Sequence, residues 1–425
     1  MRGSRWSRFR PITVAGVAAL LTLTACGGGS SSNNSLNFTM TIGDVEPFTG
    51  DLGALGAPAD KALKLAVDEL NKASQADGIG IKFQLESADS QTDPQAALSA
   101  ARKLVDQGAT CLTGPASTPE ALAILNGLTK ARKITMLPSA TSARLRKTDD
   151  GGTIFRTAPP DNLQALALIA AVQDQLGGIK GKTVSIGYQN SPYGEGLANT
   201  FKDAWTKGGG TIQGPVGYDP NQPSYNTEAA KIVAGSPDAF VFADFPDTFG
   251  KVAAALLRTG KFDPKKLYVS DALAVSPIPP AIPAAALEGA HATNAGSPQG
   301  TAVAADFDKL YTSAPGPGRF ALDDNMFDAG ILCGLAAVAA GSNDPAKINA
   351  QMRNISGPNG QEFTFTKLAD AMKALRSGTQ IHYMGVSGAI NFNSVGDTTT
   401  GTFDLSTWQS GKLVLVRKID TKPSQ

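Results

Sequence analysis

Two kinds of apolar spacing alternate along this chain, and the alternation restricts it to a layered α/β architecture. Phe38, Met40 and Ile42 recur every second residue, the period of a strand, and Leu63, Ala66, Val67 and Leu70 then recur at the spacing of a helix face. The pattern continues with a strand at Ile81, Phe83 and Leu85, a helix at Ala97, Ala101, Leu104 and Val105, a strand at 109–113, a helix at 119–131 and a strand at 134–137. Strands separated by helices pair in parallel, which places helices on both faces of the sheet. After Thr153 to Arg156 and the turn Ala158-Pro159-Pro160 the rhythm restarts. Helices at 163–176, 195–207, 228–233 and 248–259 alternate with strands at 183–187, 211–216, 239–242 and 266–270. Two successive doubly wound parallel units predict two lobes with a crevice between them, and ligands of such sheets sit beyond the carboxyl ends of the strands.

A different kind of segment precedes this pattern. Arg2, Arg5, Arg8 and Arg10 stand before an apolar run at 12–23, followed by Leu23-Thr24-Ala25-Cys26. A basic start, a short apolar stretch and small residues make a secretory signal, and the run is shorter than the roughly 18 residues that a spanning helix takes. Leu-Thr-Ala-Cys resembles the lipobox at which bacterial lipoproteins are diacylated and cut. The expectation is therefore a signal peptide at 1–25, a lipid on Cys26, a flexible Gly/Ser/Asn tether at 26–36 and a position on the extracytoplasmic face of the membrane.

Composition narrows the partners. The chain carries 38 Lys+Arg against 37 Asp+Glu, and setting aside the four arginines of the signal leaves a slightly acidic remainder with both signs scattered. Nucleic acid is not an expected partner. No second stretch is long and apolar enough to span a bilayer. About 390 residues beyond the tether exceed one comfortable core, so two lobes are expected on size as well. Beyond Cys26 only Cys111 and Cys333 remain, each in an apolar segment. They read as buried free thiols, with a single Cys111–Cys333 bridge as the alternative.

Several segments together resemble the branched-chain amino-acid (leucine/isoleucine/valine) type of periplasmic-binding protein, the substrate-binding lipoproteins of ABC importers. They are Asp44-Val45-Glu46-Pro47-Phe48-Thr49-Gly50, Leu65 to Asn71, Asp89 with Asp93-Pro94, Gly114-Pro115-Ala116-Ser117-Thr118, Phe155-Arg156, Tyr193-Gly194-Glu195-Gly196, Phe327-Asp328-Ala329, and Gly385 to Phe392 followed by Gly396-Asp397. Their order and spacing run from about residue 37 to 418. The resemblance implies a type I periplasmic-binding fold, a Venus flytrap whose chain crosses its hinge three times. Lobe one is then expected at 37–157 plus 290–379, and lobe two at 158–289 plus 380–420.

The residues suggest a site of their own. Ser117 and Thr118 stand at a strand-to-helix junction with Pro119 and Glu120 just inside, a helix start whose free N–H groups favour a carboxylate. A second hydroxyl-bearing turn, Pro138-Ser139-Ala140-Thr141, follows the next strand at the same sheet edge. These hydroxyls could equally cap their own helices. The resemblance implies that Ser117, the Ser139 and Ala140 backbone and Thr141 hold an α-carboxylate. Asp271, after the apolar strand Leu267 to Ser270, is placed by the same resemblance on the ligand's ammonium group; read alone it could be an N-cap before Ala272. Tyr193 and Phe245 are expected to line the crevice from lobe two, and Asp244 would add a second acid if it pointed inward. In the first loop, Leu55 stands where leucine-type binders tend to place an aromatic, so the pocket for the ligand side chain departs from the prototype.

Enzymatic chemistry finds no support in the sequence. His291 and His382 are the only histidines and lack metal-ligand spacing, and no G-x-S-x-G elbow occurs. Gly177 to Thr183 has Leu176 where a phosphate loop needs its first glycine, and it leads into a strand, so it reads as a turn. The expectation is a monomeric binding protein without cofactor or metal that captures a small neutral amino acid and delivers it to ABC permease subunits with their ATPases. Urea or a short amide is the alternative ligand, and signalling to a membrane kinase the alternative role.

Overall fold

The computed structural model describes residues 35–422; the expected signal at 1–25, Cys26 and the tether up to Asn34 lie outside them. Lobe one opens with β1 (Thr39–Glu46), α1 (Gly53–Asp77), β2 (Lys82–Asp89), α2 (Pro94–Asp106), β3 (Ala109–Thr113) and α3 (Thr118–Ile124). A π-turn at Leu125–Thr129 carries α3 into α4 (Lys130–Arg132), and β4 (Thr135–Leu137) and α5 (Ala143–Lys147) follow. The strands form a parallel sheet in the order β2-β1-β3-β4. Local chemistry sets the boundaries: the Asp93 carboxylate accepts the Gln95 and Ala96 amides at the start of α2, and Gly78 closes α1 in the left-handed conformation.

Lobe two begins with α6 (Asp161–Leu176) and continues through β5 (Thr183–Gln189), α7 (Pro192–Lys207), β6 (Thr211–Tyr218), α8 (Asn226–Ile232), β7 (Ala239–Ala243), α9 (Pro246–Arg258), β8 (Leu267–Val269) and β9 (His291–Gly296). The chain then returns to lobe one for α10 (Ala302–Ser313), α11 (Asp323–Ala340), α12 (Pro345–Gln351), β10 (Gln361–Phe363), α13 (Leu368–Arg376), β11 (Ile381–Gly385) and β12 (Gly388–Ala389). It ends with β13 (Gly401–Gln409) and β14 (Lys412–Thr421), which complete a seven-stranded sheet in the order β14-β13-β9-β8-β7-β5-β6.

Both later crossings fall further along the chain than the sequence spacing places them. β9 bonds to β8 and β13, so 291–296 belongs to lobe two, where the expected division at 290 gave it to lobe one. β11 bonds to β10 and buries Ile381, Tyr383 and Val386 in the lobe-one core, so 381–389 belongs there and not to the segment 380–420 of lobe two. The reason is common to both: a strand belongs to the sheet that satisfies its backbone, and partners distant in sequence leave no local signal. At the crossings themselves, Arg156 forms an isolated bridge with Asp397 and so joins the first crossing to the third.

α11 is buried on every side from Asp323 to Val338, the mark of a core helix, and it packs against α1. It also corrects the cysteine reading. Cys333 on α11 and Cys111 on β3 form a disulfide with Cα atoms 6.0 Å apart, so the expectation of two free thiols is overturned in favour of the bridge. Their separation of 222 residues conceals the contact, because α11 reaches β3 only after the whole of lobe two has intervened. Among the described residues no single helix is long and apolar enough to cross a membrane, and no group of three or more His, Cys, Asp or Glu could hold a metal ion.

Candidate ligand-binding crevice

The lobe-one wall consists of two turns at the carboxyl ends of β3 and β4. Gly114 makes the first possible: it has φ +70°, and a Cβ there would stand 2.2 Å from the Val45 carbonyl oxygen. Ser117 is the N-cap of α3, and its amide donates to Glu120 Oε2 at 3.0 Å. Thr118 is 1 % exposed, and its hydroxyl has no hydrogen-bond partner. The Ser139 amide donates to the Pro115 carbonyl at 3.2 Å, which ties the second turn to the first. That N–H is therefore already engaged, contrary to the expectation that the Ser139 backbone is a free donor.

The second turn is braced from behind. Buried Arg156 donates through Nη1 to the Ala140 and Ser142 carbonyls at 3.2 and 3.0 Å and through Nε to Asp397 at 2.7 Å. Arg146 reaches the other oxygen of Asp397 at 2.9 Å. Ala140 itself packs into the lobe-one core, and the Thr141 carbonyl accepts the Asp161 amide at 2.8 Å.

The lobe-two wall comes from the ends of β5, β7 and β8. Tyr193 at the start of α7 stacks on Phe245, with ring centroids 5.3 Å apart and planes at 11°. Its hydroxyl donates to Asp271 Oδ1 at 2.5 Å and lies 2.7 Å from Ser270 Oγ. Burial raises the Asp271 carboxyl, with the Tyr193 and Gln164 hydrogen bonds offsetting part of the rise. Asp244 is turned away from the crevice: its oxygens take the Tyr218 hydroxyl and the Phe245 amide, both at 2.7 Å. It does not supply the second acid that its position in sequence allowed.

That second acid is Asp161, which the sequence reading passed over. It is fully buried at the first position of α6, and neither carboxyl oxygen has a hydrogen-bond partner. Burial and the negative charge of Asp271 push it up to about 7, with Thr141 and Arg156 pulling the other way. Asp161 and the part-buried Asp271 beside it make an acceptor for a cation. The sequence signal was slight: an aspartate directly after Pro159-Pro160, one turn before the apolar positions that marked the helix.

Between these walls lies a cavity lined by Ser117, Thr118, Ser139, Thr141, Tyr193 and Asp271. Leu55 and Phe245 also reach it, so of the residues expected at the site Ala140 and Asp244 do not. Leu52, Ala116, Ala272, Ala321 and Leu322 complete an apolar end that the sequence did not reveal. Leu322 holds φ +69°, a strained conformation for a branched residue at the start of α11. The space is tight, with about 30 Å³ open to the centre of a water-sized sphere, against about 510 Å³ in a hollow beside the second crossing. In that larger hollow Lys418 is paired with Asp404, and Arg319 with Asp323 and Asp308, so its cations are already satisfied. The lobes touch beside the crevice: the Asp247 amide donates to Asp51 and the Ser142 hydroxyl to the Pro192 carbonyl, both at 2.8 Å.

Comparison with known proteins agrees with this fold. A Leu/Ile/Val-binding protein homologue of Brucella melitensis is 27 % identical over 380 residues, covering 88 % of this chain and 93 % of its own. A substrate-binding protein of a chemotactic signal transduction system, BasB of Halobacterium salinarum, is 24 % identical over 368 residues, 85 % of each chain. The crystal structure of the branched-chain amino-acid transporter substrate-binding protein LivJ from Streptococcus pneumoniae, in complex with isoleucine, superposes with a TM-score of 0.71 at 20 % identity, covering 91 % of this chain and all of that one. Residues 39–386 match the model of the periplasmic binding proteins, and the chain belongs to that family, in the type I fold shared by its branched-chain amino-acid members.

Proposed function

We propose that the protein is the extracytoplasmic, lipid-anchored solute-binding component of an ABC importer and that it closes on a zwitterionic amino acid with a small apolar side chain. The observation that carries this reading is the opposition of the two walls. Hydroxyls of Ser117, Thr118 and Thr141 on lobe one line the same cavity as Asp271 on lobe two, with apolar Leu52, Leu55, Phe245 and Leu322 completing the lining and Asp161 buried beside Asp271. A carboxylate suits the first wall, an ammonium the second and an aliphatic side chain the apolar end. Because the two charged ends lie on different lobes, the ligand stabilises the closed state more than the open one, which is what drives closure. Lipid on Cys26 would hold the domain at the membrane beside its permease. The likeness to BasB favours a second role, in which the same closed form signals to a membrane sensor.

Calorimetry distinguishes the ligand classes. L-leucine, L-isoleucine or L-valine should bind, whereas leucinamide and urea should bind far more weakly. Asp271→Asn should weaken the best amino acid by roughly ten-fold to more than a hundred-fold, the worth of a charge-assisted bond of about 1.5–3 kcal/mol. Tight binding of urea or leucinamide, or an Asp271→Asn variant as tight as the parent, defeats the zwitterion reading.

A further inference from the structure

Behind the carboxylate-facing turn lies a group of buried acids that binding as described does not use. Glu120, on α3, is fully buried; one of its carboxyl oxygens takes the Ser117 amide and the other has no partner. Glu46, at the end of β1, is 1 % exposed, and its Oε1 also lacks a partner. That oxygen sits against the same turn, 2.8 Å from where a Cβ on Gly114 would stand. The Ser90 hydroxyl is buried beside them, close enough to Glu120 to act on its carboxyl, and the Ser90 amide donates to the Glu46 carbonyl. Farther along β1, Asp44 leaves Oδ2 unpartnered as well.

Such an arrangement is costly for a fully ionised set, because unpaired buried carboxylates repel one another and have lost their water. A proton on one oxygen turns an orphan acceptor into a donor for its neighbour. The charged and titratable groups facing the pair are Asp44 on β1, Asp60 on α1 with Lys64 beyond it, and Asp93 at the start of α2. Among the described residues the cation acting on this group is Lys64, which is bonded to Asp60 at 2.5 Å and is exposed. Burial raises both carboxyls; at Glu46 the neighbouring acids add to the rise, and at Glu120 hydrogen bonds from Ser117 and Ser90 offset part of it.

We infer that Glu120, with Glu46 beside it, is a positioning residue for the carboxylate-facing turn, and that a ligand carboxylate on this turn draws a proton onto the buried acid pair. Glu120 sets the turn by holding the Ser117 amide, so that amide is withdrawn from the ligand and the hydroxyls of Ser117 and Thr118 are left to face it. A ligand carboxylate there, on the turn that Glu120 holds, is close enough to the Glu120 carboxyl in a dry interior for its charge to be felt. The added negative charge favours the protonated form of the pair; one proton moves from solvent to a carboxyl oxygen, forming an O–H bond. The inference rests on the reading that the ligand carries a carboxylate.

Three substitutions and one linkage measurement test it. The tightest-binding of leucine, isoleucine and valine is titrated calorimetrically into the mature domain in two buffers of different ionisation enthalpy, which counts protons exchanged on binding. Glu120→Gln keeps an acceptor for the Ser117 amide and should bind within about three-fold of the parent, whereas Glu120→Ala should lose about ten-fold or more. Both Glu120→Gln and Glu46→Gln should shift the proton count toward release relative to the parent. The difference between parent and variant is diagnostic, because Asp161 and the ligand ammonium contribute equally to both. Glu46→Gln lies away from the Ser117 contact and supplies the proton count if Glu120→Ala does not fold. Equal affinity in Glu120→Ala, or an unchanged proton count in both glutamine variants, overturns the inference while leaving the zwitterion reading intact. Leucinamide binding as tightly as leucine overturns both, and that result is visible in the parent alone.

Discussion

The two walls of the crevice are built from opposite chemistry and supported in opposite ways. Lobe one presents hydroxyls on short turns, and ionic groups hold those turns from behind: Arg156 and Asp397 under Thr141, Glu120 under Ser117. Lobe two presents Asp271, held by the Tyr193 hydroxyl, with Asp161 buried beside it. One wall is therefore preorganised by contacts that the ligand does not touch, while the other holds charge that only a ligand neutralises. A molecule that satisfies both must carry an acceptor and a cationic donor at separate ends. In the proposed function this asymmetry, more than the size of the cavity, is what would select an amino acid over a neutral amide.

The largest effect is expected where the lobe-one support is removed. Arg156 is fully buried and joins the first crossing, the third crossing and the Thr141 turn through Asp397 and two carbonyls. Arg156→Met keeps the bulk but leaves Asp397 buried with Arg146 alone and frees the Ala140 and Ser142 carbonyls. Breaking a buried pair from one side costs about 3–5 kcal/mol, and the remaining Arg146 contact places this case at the lower end. Urea denaturation checks it, and calorimetry should show affinity falling as well, because the turn loses its brace. A stability within about 1 kcal/mol of the parent would mean that the turn stands without Arg156 and that the two walls do not differ in support.

How much of this was legible beforehand follows from where each signal resides. The parallel units were readable because strand and helix periods are local, and β3 at Ala109–Thr113 coincides with the apolar run that marked it. Ser117, Thr141 and Asp271 were expected at the site from the family resemblance, in the turns that punctuate those periods, and the structure brings them to one cavity. Leu322 and Ala321 were not, since they arrive from a loop after the second crossing and carry no turn or period signal. The disulfide and the membership of β9 and β11 were hidden for the same reason: contacts between segments hundreds of residues apart are fixed by topology, which spacing does not encode. Asp244 was misplaced by one register step, the difference between facing the crevice and facing Tyr218.

A smaller effect should separate the walls by pH. Asp161 sits at about 7 because of its burial and of Asp271, well above the value of about 4 for an unfolded aspartate. Between those values the native state holds a proton that the unfolded chain has released. Its contribution is therefore fully present below about pH 4 and is lost as pH rises through about 7, a change on the order of 2–4 kcal/mol. Asp328 and Asp323, each raised to about 6 chiefly by burial, act in the same direction. The ligand-free domain should resist urea better at pH 5 than at pH 8, and Asp161→Asn should flatten that slope. The same variant should weaken amino-acid binding most at pH 8, where the parent carboxylate is charged and meets the ammonium. A parent slope that Asp161→Asn leaves unchanged would remove Asp161 from the lobe-two wall.

The smallest effect tests the lobe-one wall at a single atom. Thr118 is buried with a hydroxyl that has no partner, so the ligand-free protein bears the desolvation of that group without return. Thr118→Val removes the hydroxyl and keeps the branched shape, and the residue stands at the first position of α3, where a β-branched side chain costs little. Relief of an unsatisfied polar group should leave the ligand-free domain as stable as the parent or raise it by up to about 1 kcal/mol. Binding should move the other way: a carboxylate loses one neutral donor, worth about 0.5–1.5 kcal/mol, or roughly two-fold to ten-fold in affinity. The opposite signs are the useful part of the test. Damaged packing would lower stability and affinity together, and a hydroxyl that faces only the protein would leave affinity untouched. Only a donor kept in reserve for the ligand raises or preserves stability while weakening the complex, so thermal melting without ligand and calorimetry with it decide whether lobe one's wall is preorganised at Thr118.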